Sequence, residues 1–233
     1  MRFQDASPDA RAVVYAGIQS DPLVARAAAL LADATQAQRV LARAVMNGMS
    51  TDTATWQAMF PTLFGPAAPA DGPERERSER ILAASLAVAE RGEQVRSQFR
   101  GAIVESLTEV LVRRRPGLGG PAASAPAGAV RRERRILFDG VRAEIHPYDV
   151  TVEASGAAEA IDCKWGARGI NADVLHQLDD ARAHAADEDE AIAATIVVFD
   201  AGRSCAVRLE RQTAPHGGTR LISLETLDLL AGG

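Results

Sequence analysis

The apolar residues of this chain repeat at helical spacing through its first part and at strand spacing after a Gly/Pro-rich break. That change of period restricts the fold, because a face built for a helix cannot serve as one side of a strand. Asp21-Pro22 opens a helical stretch from Leu23 to Met46, with Val24, Ala27, Leu30, Leu31, Val40, Leu41 and Val45 at turn spacing and Asn47-Gly48 as its stop. Thr53 to Phe64 is a shorter helical segment that Pro61 kinks or ends, and Gly65 to Pro73 reads as a linker. A long helical pattern then runs from Glu74 to about Arg115, with Gly92 or Gly101 as the place for an interruption.

Pro116 to Gly128 is rich in Gly, Pro, Ala and Ser and reads as a mobile loop. Beyond it, Arg134–Phe138, Val141–Val152, Glu159–Trp165, Ala193–Phe199 and Cys205–Leu209 read as strands. Ala172–Ala186 reads as a helix between the third and fourth, Leu221-Ile222 as a last strand and Leu224–Leu230 as a closing helix. The pattern predicts a mixed α/β layer fold preceded by helices.

Aromatic residues are 4% of the chain, so its core has to come from Ala, Leu, Val and Ile. No apolar run approaches the ~20 residues that span a bilayer. Met1 to Asp5 lacks the apolar stretch of a secretory signal, and Cys163 and Cys205 have no metal-ligand spacing. A cytoplasmic protein with two reduced thiols and no membrane partner is the expectation. The net charge of −5 disfavours a passive nucleic-acid coat, since phosphate neutralisation supplies most of that affinity. It leaves room for an enzyme whose carboxylates hold a divalent cation.

Of the 26 lysines and arginines, Lys164 is the lone lysine, and it stands in Asp162-Cys163-Lys164. An ammonium is a compact point charge, whereas a guanidinium is broad and always charged. Strand alternation puts Asp162 and Lys164 on one face and Ile161, Cys163 and Trp165 on the other. Asp149 reaches that first face if its strand pairs through the Ser155-Gly156 region. Two carboxylates and an ammonium suit phosphodiester hydrolysis: Mg²⁺ prefers carboxylate oxygen, and a nearby lysine serves the attacking water or the developing charge. Glu144 is an alternative ligand in another register, and Thr151 and Glu153 share the Asp149 face.

Pro147-Tyr148-Asp149 followed by Asp162-Cys163-Lys164 resembles the PD-(D/E)xK nuclease superfamily, with an Mrr-type flavour in the C-terminal Leu221–Leu230 segment. The resemblance covers about residues 99 to 231, and Tyr148 intervenes where the family often reads Pro-Asp directly. It implies a restriction-endonuclease-like core, α-βββ-α-β, with a mixed sheet flanked by helices. The expected organisation is an all-helical region at 1–92 and a nuclease-like domain at 93–233, with a flexible loop at 116–130. The resemblance also implies a Mg²⁺ (or Mn²⁺) site made by Asp149, Asp162 and the Cys163 carbonyl, with Lys164 beside the water. It places Gln177 on the following helix, to orient Lys164 or a phosphate, and Glu105 on the preceding helix, with Glu109 as alternate. DNA is the implied substrate, and genome defence or repair the implied setting.

The N-terminal helices are expected to form a homodimer, to contact DNA or to receive a partner protein. The alternative is a non-catalytic module of nuclease fold, or an adaptor subunit. His176 reads as a surface residue and Trp165 as a packing residue. Arg131, Arg132, Arg134 and Arg135 read either as a phosphate-contacting patch or as a charged sheet edge.

Overall fold

A computed structural model describes the chain except residues 1, 7–9, 67, 69–70, 117, 119–129, 139–140, 143–145, 155–156, 215 and 233. The chain divides into two compact units, Ala10–Leu107 and Met1–Asp9 with Thr108–Gly233. The division falls at Leu107/Thr108 rather than at residue 92, and the first nine residues join the second unit.

The helical unit contains α1 (Ala10–Gln19), α2 (Pro22–Ala32), α3 (Gln36–Asn47), α4 (Thr53–Met59), α5 (Pro61–Phe64), α6 (Pro73–Ala89) and the start of α7 (Glu93–Val112). The expected single helix from Leu23 to Met46 is two helices. Thr35 and Gln38 form a capping box that starts α3 anew, and Asp21 caps α2 through the Leu23 N–H at 2.8 Å. The long Glu74–Arg115 pattern breaks at Gly92, while Gly101 stays inside α7. Pro61 opens α5, consistent with its fixed φ and missing donor. Leu41, Ala42 and Val45 of α3 and Ile81 and Leu82 of α6 are buried. Among them Gln38 donates to Ser78 Oγ at 2.9 Å, so the buried amide has a partner.

The sheet unit contains β1 (Arg2–Asp5), β2 (Val130–Phe138), β3 (Val141–Arg142), β4 (Tyr148–Ala154), β5 (Ala157–Lys164), α8 (Ala172–Asp187), β6 (Ala193–Val198), α9 (Gly202–Glu210), β7 (Thr219–Ile222) and α10 (Leu229–Gly232). The strands form one mixed sheet ordered β1-β2-β4-β5-β6-β7, with β3 paired to β2 off that path. Neighbours among β1, β2, β4 and β5 are antiparallel, and β6 and β7 add in parallel. Ile196, Val197 and Val198 of β6 are fully buried, as expected of a parallel strand covered on both faces. α8 joins β5 to β6 and packs Leu175, Leu178, Ala181 and Ala185 against Ala160, Ala194, Ile196 and Val198.

Three expectations change here. Cys205–Leu209 lies in α9, not in a strand; Cys205 is fully buried and Leu209 half-buried, at the four-residue spacing of one helix face. Val141–Val152 is split between β3 and β4, with Pro147 just before β4, where it owes no ladder hydrogen bond. The closing helix is a 3-10 turn at Leu224–Thr226 followed by the short α10. Most of the 116–130 loop, the Ser155-Gly156 turn and Glu144 lie outside the described residues.

Candidate metal centre on strands β4 and β5

The β4–β5 register runs from Ala154↔Ala157 to Val150↔Ile161. One step further along, Asp149 and Asp162 stand on the two strands at the point where the pairing stops. There the N–H of Cys163 donates to Asp149 Oδ2 at 2.6 Å. A carboxylate accepting a backbone N–H makes a charge-assisted bond, roughly twice as strong as a neutral one. β5 continues to pair with β6 through Lys164↔Val198, so its end is held from the other side.

Asp162 is buried and Lys164 half-buried, and the Lys164 ammonium forms an ion pair with Asp162 Oδ1. Both follow Ala160 on one side of β5, as strand alternation predicts. Cys163 turns the other way, with Sγ 3.4 Å from the Thr108 hydroxyl at the end of α7. Burial pushes the Lys164 pKa down, and the charges of Asp162 and then Asp149 overcome this and raise it above its ordinary value. Lys164 thus feels both carboxylates. The expected constellation of Asp149, Asp162 and Lys164 is assembled within the sheet unit.

Gln177 is buried on α8, where its amide meets both backbone groups of His146: Oε1 accepts the N–H at 3.3 Å and Nε2 donates to the carbonyl at 3.1 Å. Its own carbonyl accepts the Tyr148 hydroxyl at 3.1 Å. The hydrogen bonds of this amide go to the His146 backbone, so Gln177 fixes the segment that leads into Asp149, and its bond to Lys164 or a phosphate stays an expectation. Glu105 is buried in the helical unit, where its carboxylate accepts from Tyr15 Oη at 2.5 Å and Gln19 Nε2 at 2.7 Å. The alternate, Glu109, forms ion pairs with Arg113 at 2.8 Å and Arg132 at 2.9 Å.

Glu133 was not among the expected residues. It sits on β2 with φ +54°, and the β2–β4 pairing skips it between Arg132↔Val150 and Arg134↔Tyr148. A non-glycine residue in this left-handed conformation is uncommon, and the β2–β4 register is the same on either side of it, so Glu133 stands opposite Asp149 with no residue inserted. Carboxylate oxygens of Glu133 and Asp149 come within 4.8 Å of each other, close enough to share one cation. The neighbouring arginines are occupied by carboxylates: Arg134 pairs with Asp5 at 3.0 Å and Arg131 with Asp5 at 3.6 Å. The strand that carries the cluster, β2, is paired by β1 on one side and β4 on the other, so the reading as a charged sheet edge does not hold. Trp165 stacks on Phe199 with centroids 5.0 Å apart, as a packing residue does, and His176 is exposed.

Comparison with protein-family models, curated proteins and solved structures finds no match. The site is therefore judged on its donors alone. Glu133 and Asp149 bring carboxylate oxygens close enough to share one ion, while Asp162 is held in its ion pair with Lys164. All these donors are hard oxygens. That set fits Mg²⁺ or Mn²⁺ and is unsuited to a thiolate-preferring metal. Among the described residues no helix is long and apolar enough to cross a membrane.

Proposed function

We propose that the chain is a metal-dependent phosphodiesterase of the PD-(D/E)xK type, acting on DNA, with its site on β4 and β5. The observation that carries the reading is the junction where β4 and β5 stop pairing: Asp149 accepts the Cys163 N–H while Lys164 pairs with Asp162 under the field of both carboxylates. The order α7, β2, β4, β5, α8, β6 supports the likeness to a restriction-endonuclease-like core.

In this reading Asp149 and Asp162 are the first ligands of a divalent ion, with the Cys163 carbonyl and Glu133 as further oxygens. Such an ion would supply Lewis acidity and a more acidic bound water. Lys164, beside both carboxylates, serves the attacking water or stabilises charge on a phosphate oxygen. Gln177 keeps Asp149 in place through His146. Glu105 keeps a proposed role only if its carboxylate exchanges Tyr15 and Gln19 for a water or a second ion.

The test is cleavage of plasmid, linear, single-stranded and branched DNA, and of RNA, by the full chain with Mg²⁺ or Mn²⁺. Asp162→Asn and Lys164→Ala are each expected to lower the rate roughly 10²-fold or more, the scale seen when one electrostatic stabiliser is removed. EDTA abolishes it. A folded wild type that cleaves nothing on the panel overturns the reading in favour of a non-catalytic module, as does cleavage that Asp162→Asn leaves intact.

A further inference from the structure

Lys164 is followed by a turn that the proposed chemistry does not use. Gly166 leads into a 3-10 turn at Ala167–Gly169, with Gly169 N–H donating to the Gly166 carbonyl at 2.9 Å and Ile170 N–H to the Ala167 carbonyl at 3.1 Å. The chain thereby doubles back so that Gly169 lies on the Lys164 side chain. A Cβ added at Gly169 would stand 2.9 Å from Lys164 Cβ, 2.9 Å from Cγ and 2.8 Å from Cδ. These contacts fall on the root of the lysine rather than on its flexible end, so a small rotation of the tip does not relieve them. Nothing in the backbone conformation demands glycine here, because Gly169 is not among the residues of positive φ. The glycine is required by space alone.

The turn is also pinned. Asp200, buried at the end of β6, accepts the Ala167 N–H on Oδ2 at 2.9 Å and the Ala201 N–H on Oδ1 at 2.7 Å. Arg208 on α9 donates from Nε to the Ile170 carbonyl at 2.9 Å, and Ile170 is fully buried. Lys164's own carbonyl accepts the Phe199 N–H at 2.9 Å. The turn is held at Ala167 and Ile170 with Gly169 between them, so its surface against Lys164 is a wall rather than a flexible flap.

We propose that Gly169, backed by Asp200 and Arg208, is a positioning residue that confines the Lys164 side chain to the rotamer in which its ammonium meets Asp162. The relevance to catalysis rests on the nuclease reading; the geometric confinement does not. A wall of this kind leaves the ammonium a single approach and removes rotamer freedom that an exposed lysine would keep, which matters because misplacement by about 1 Å can cost ~10²-fold in rate.

A single lysine makes the test specific. The full chain is labelled with ¹³Cε,¹⁵Nζ-lysine, so that one side-chain signal reports Lys164, and Asp162→Asn calibrates how that signal moves when its carboxylate partner is lost. Gly169→Ala is expected to move the signal in the same direction as Asp162→Asn. Asp200→Ala, which frees the turn without adding bulk, is expected to broaden or split it. Gly217→Ala, at a glycine with nothing within 4 Å of an added Cβ, leaves it in place. Backbone spectra of each variant establish that the fold is retained; if Gly169→Ala does not fold, Asp200→Ala decides alone.

An unmoved lysine signal in a folded Gly169→Ala or Asp200→Ala protein means that the turn yields instead, and overturns the proposal. Because this readout needs no cleavage, absence of nuclease activity refutes the functional reading while leaving the positioning result to stand or fall by itself. Where cleavage is present, Gly169→Ala is expected to lower the rate with little change in KM.

Discussion

The buried ion pair between Arg115 and Glu159 gives the sharpest energetic expectation. Arg115 follows the end of α7, and Glu159 lies mid-way along β5, with side chains 13% and 9% exposed. Glu159 Oε2 meets the Arg115 guanidinium and Oε1 accepts the Thr195 hydroxyl at 2.6 Å, while Arg115 Nε donates to the Leu230 carbonyl at 2.7 Å. Replacing Arg115 by Met keeps most of the stem and leaves a carboxylate buried with one neutral donor, at a cost of about 3–5 kcal/mol. Replacing both residues by Met removes the orphaned charge, and the remaining loss is the acceptor of Thr195 and the donor to the Leu230 carbonyl, about 1–3 kcal/mol for each group left unpaired. The double variant should therefore be more stable than Arg115→Met alone. Urea unfolding followed by Trp165 fluorescence in a Trp56→Phe background reads this unit rather than the helical one. A single-variant loss under about 1 kcal/mol, or a double-variant loss equal to the sum of the singles, would show that water screens the pair and refute the reasoning.

Gln177→Leu is expected to speed amide exchange at His146 and to cost about 1–3 kcal/mol, because two backbone groups lose their partner; unchanged exchange would contradict the clamp. Burial pushes the Glu225 carboxyl up, but hydrogen bonds from Ser223 Oγ and the Gly202 N–H outweigh it and hold its pKa below the ordinary carboxylate value. Its stabilising contribution is thus complete above its ordinary value and lost as pH falls through the lowered one. Stability of Glu225→Gln should accordingly lose less on acidification than wild type, and parallel pH profiles would dismiss the effect. Gly48→Ala would set a Cβ 2.4 Å from Trp56 Cζ2, so Trp56 must shift; roughly 1–3 kcal/mol of destabilisation and altered Trp56 emission are expected.

The Asp-x-Lys placement was legible because strand alternation is strict, and two residues apart means the same side of β5. The end of the helical pattern near Arg115 and the helix bearing Gln177 were legible from apolar spacing. What Gln177 bonds to was not, since that depends on how the His146 segment approaches α8, 31 residues apart in sequence. Glu105 was rightly placed on a helix, but its partners Tyr15 and Gln19 come from 90 and 86 residues earlier. Glu133 was hidden in a run of arginines that reads as a charged edge, because a left-handed residue inside a strand leaves no mark in the pattern. α9 was misread because Val207 and Leu209 fit a strand, while the single buried face through Cys205 appears only once the helix is docked.

The location of the proposed site follows from where the sheet departs from regular pairing. Glu133 interrupts the β2–β4 ladder, and the β4–β5 register stops at Val150↔Ile161. Regular pairing there would have engaged the local backbone groups and left less room between strands for an ion. The departures forgo ladder bonds worth about 1 kcal/mol each, and side chains restore part of that loss: Asp149 to the Cys163 N–H, Gln177 to both backbone groups of His146, and Tyr148 to the Gln177 carbonyl. Each replacement also orients the segment carrying Asp149 or the one carrying Asp162 and Lys164. Stability and the proposed function are coupled at this point: Glu133→Gly, which relieves the strain of a side-chain-bearing residue at φ +54°, should stabilise the sheet unit while removing one carboxylate. A folded Glu133→Gly protein with unchanged stability and unchanged metal-dependent protection against urea would break that link.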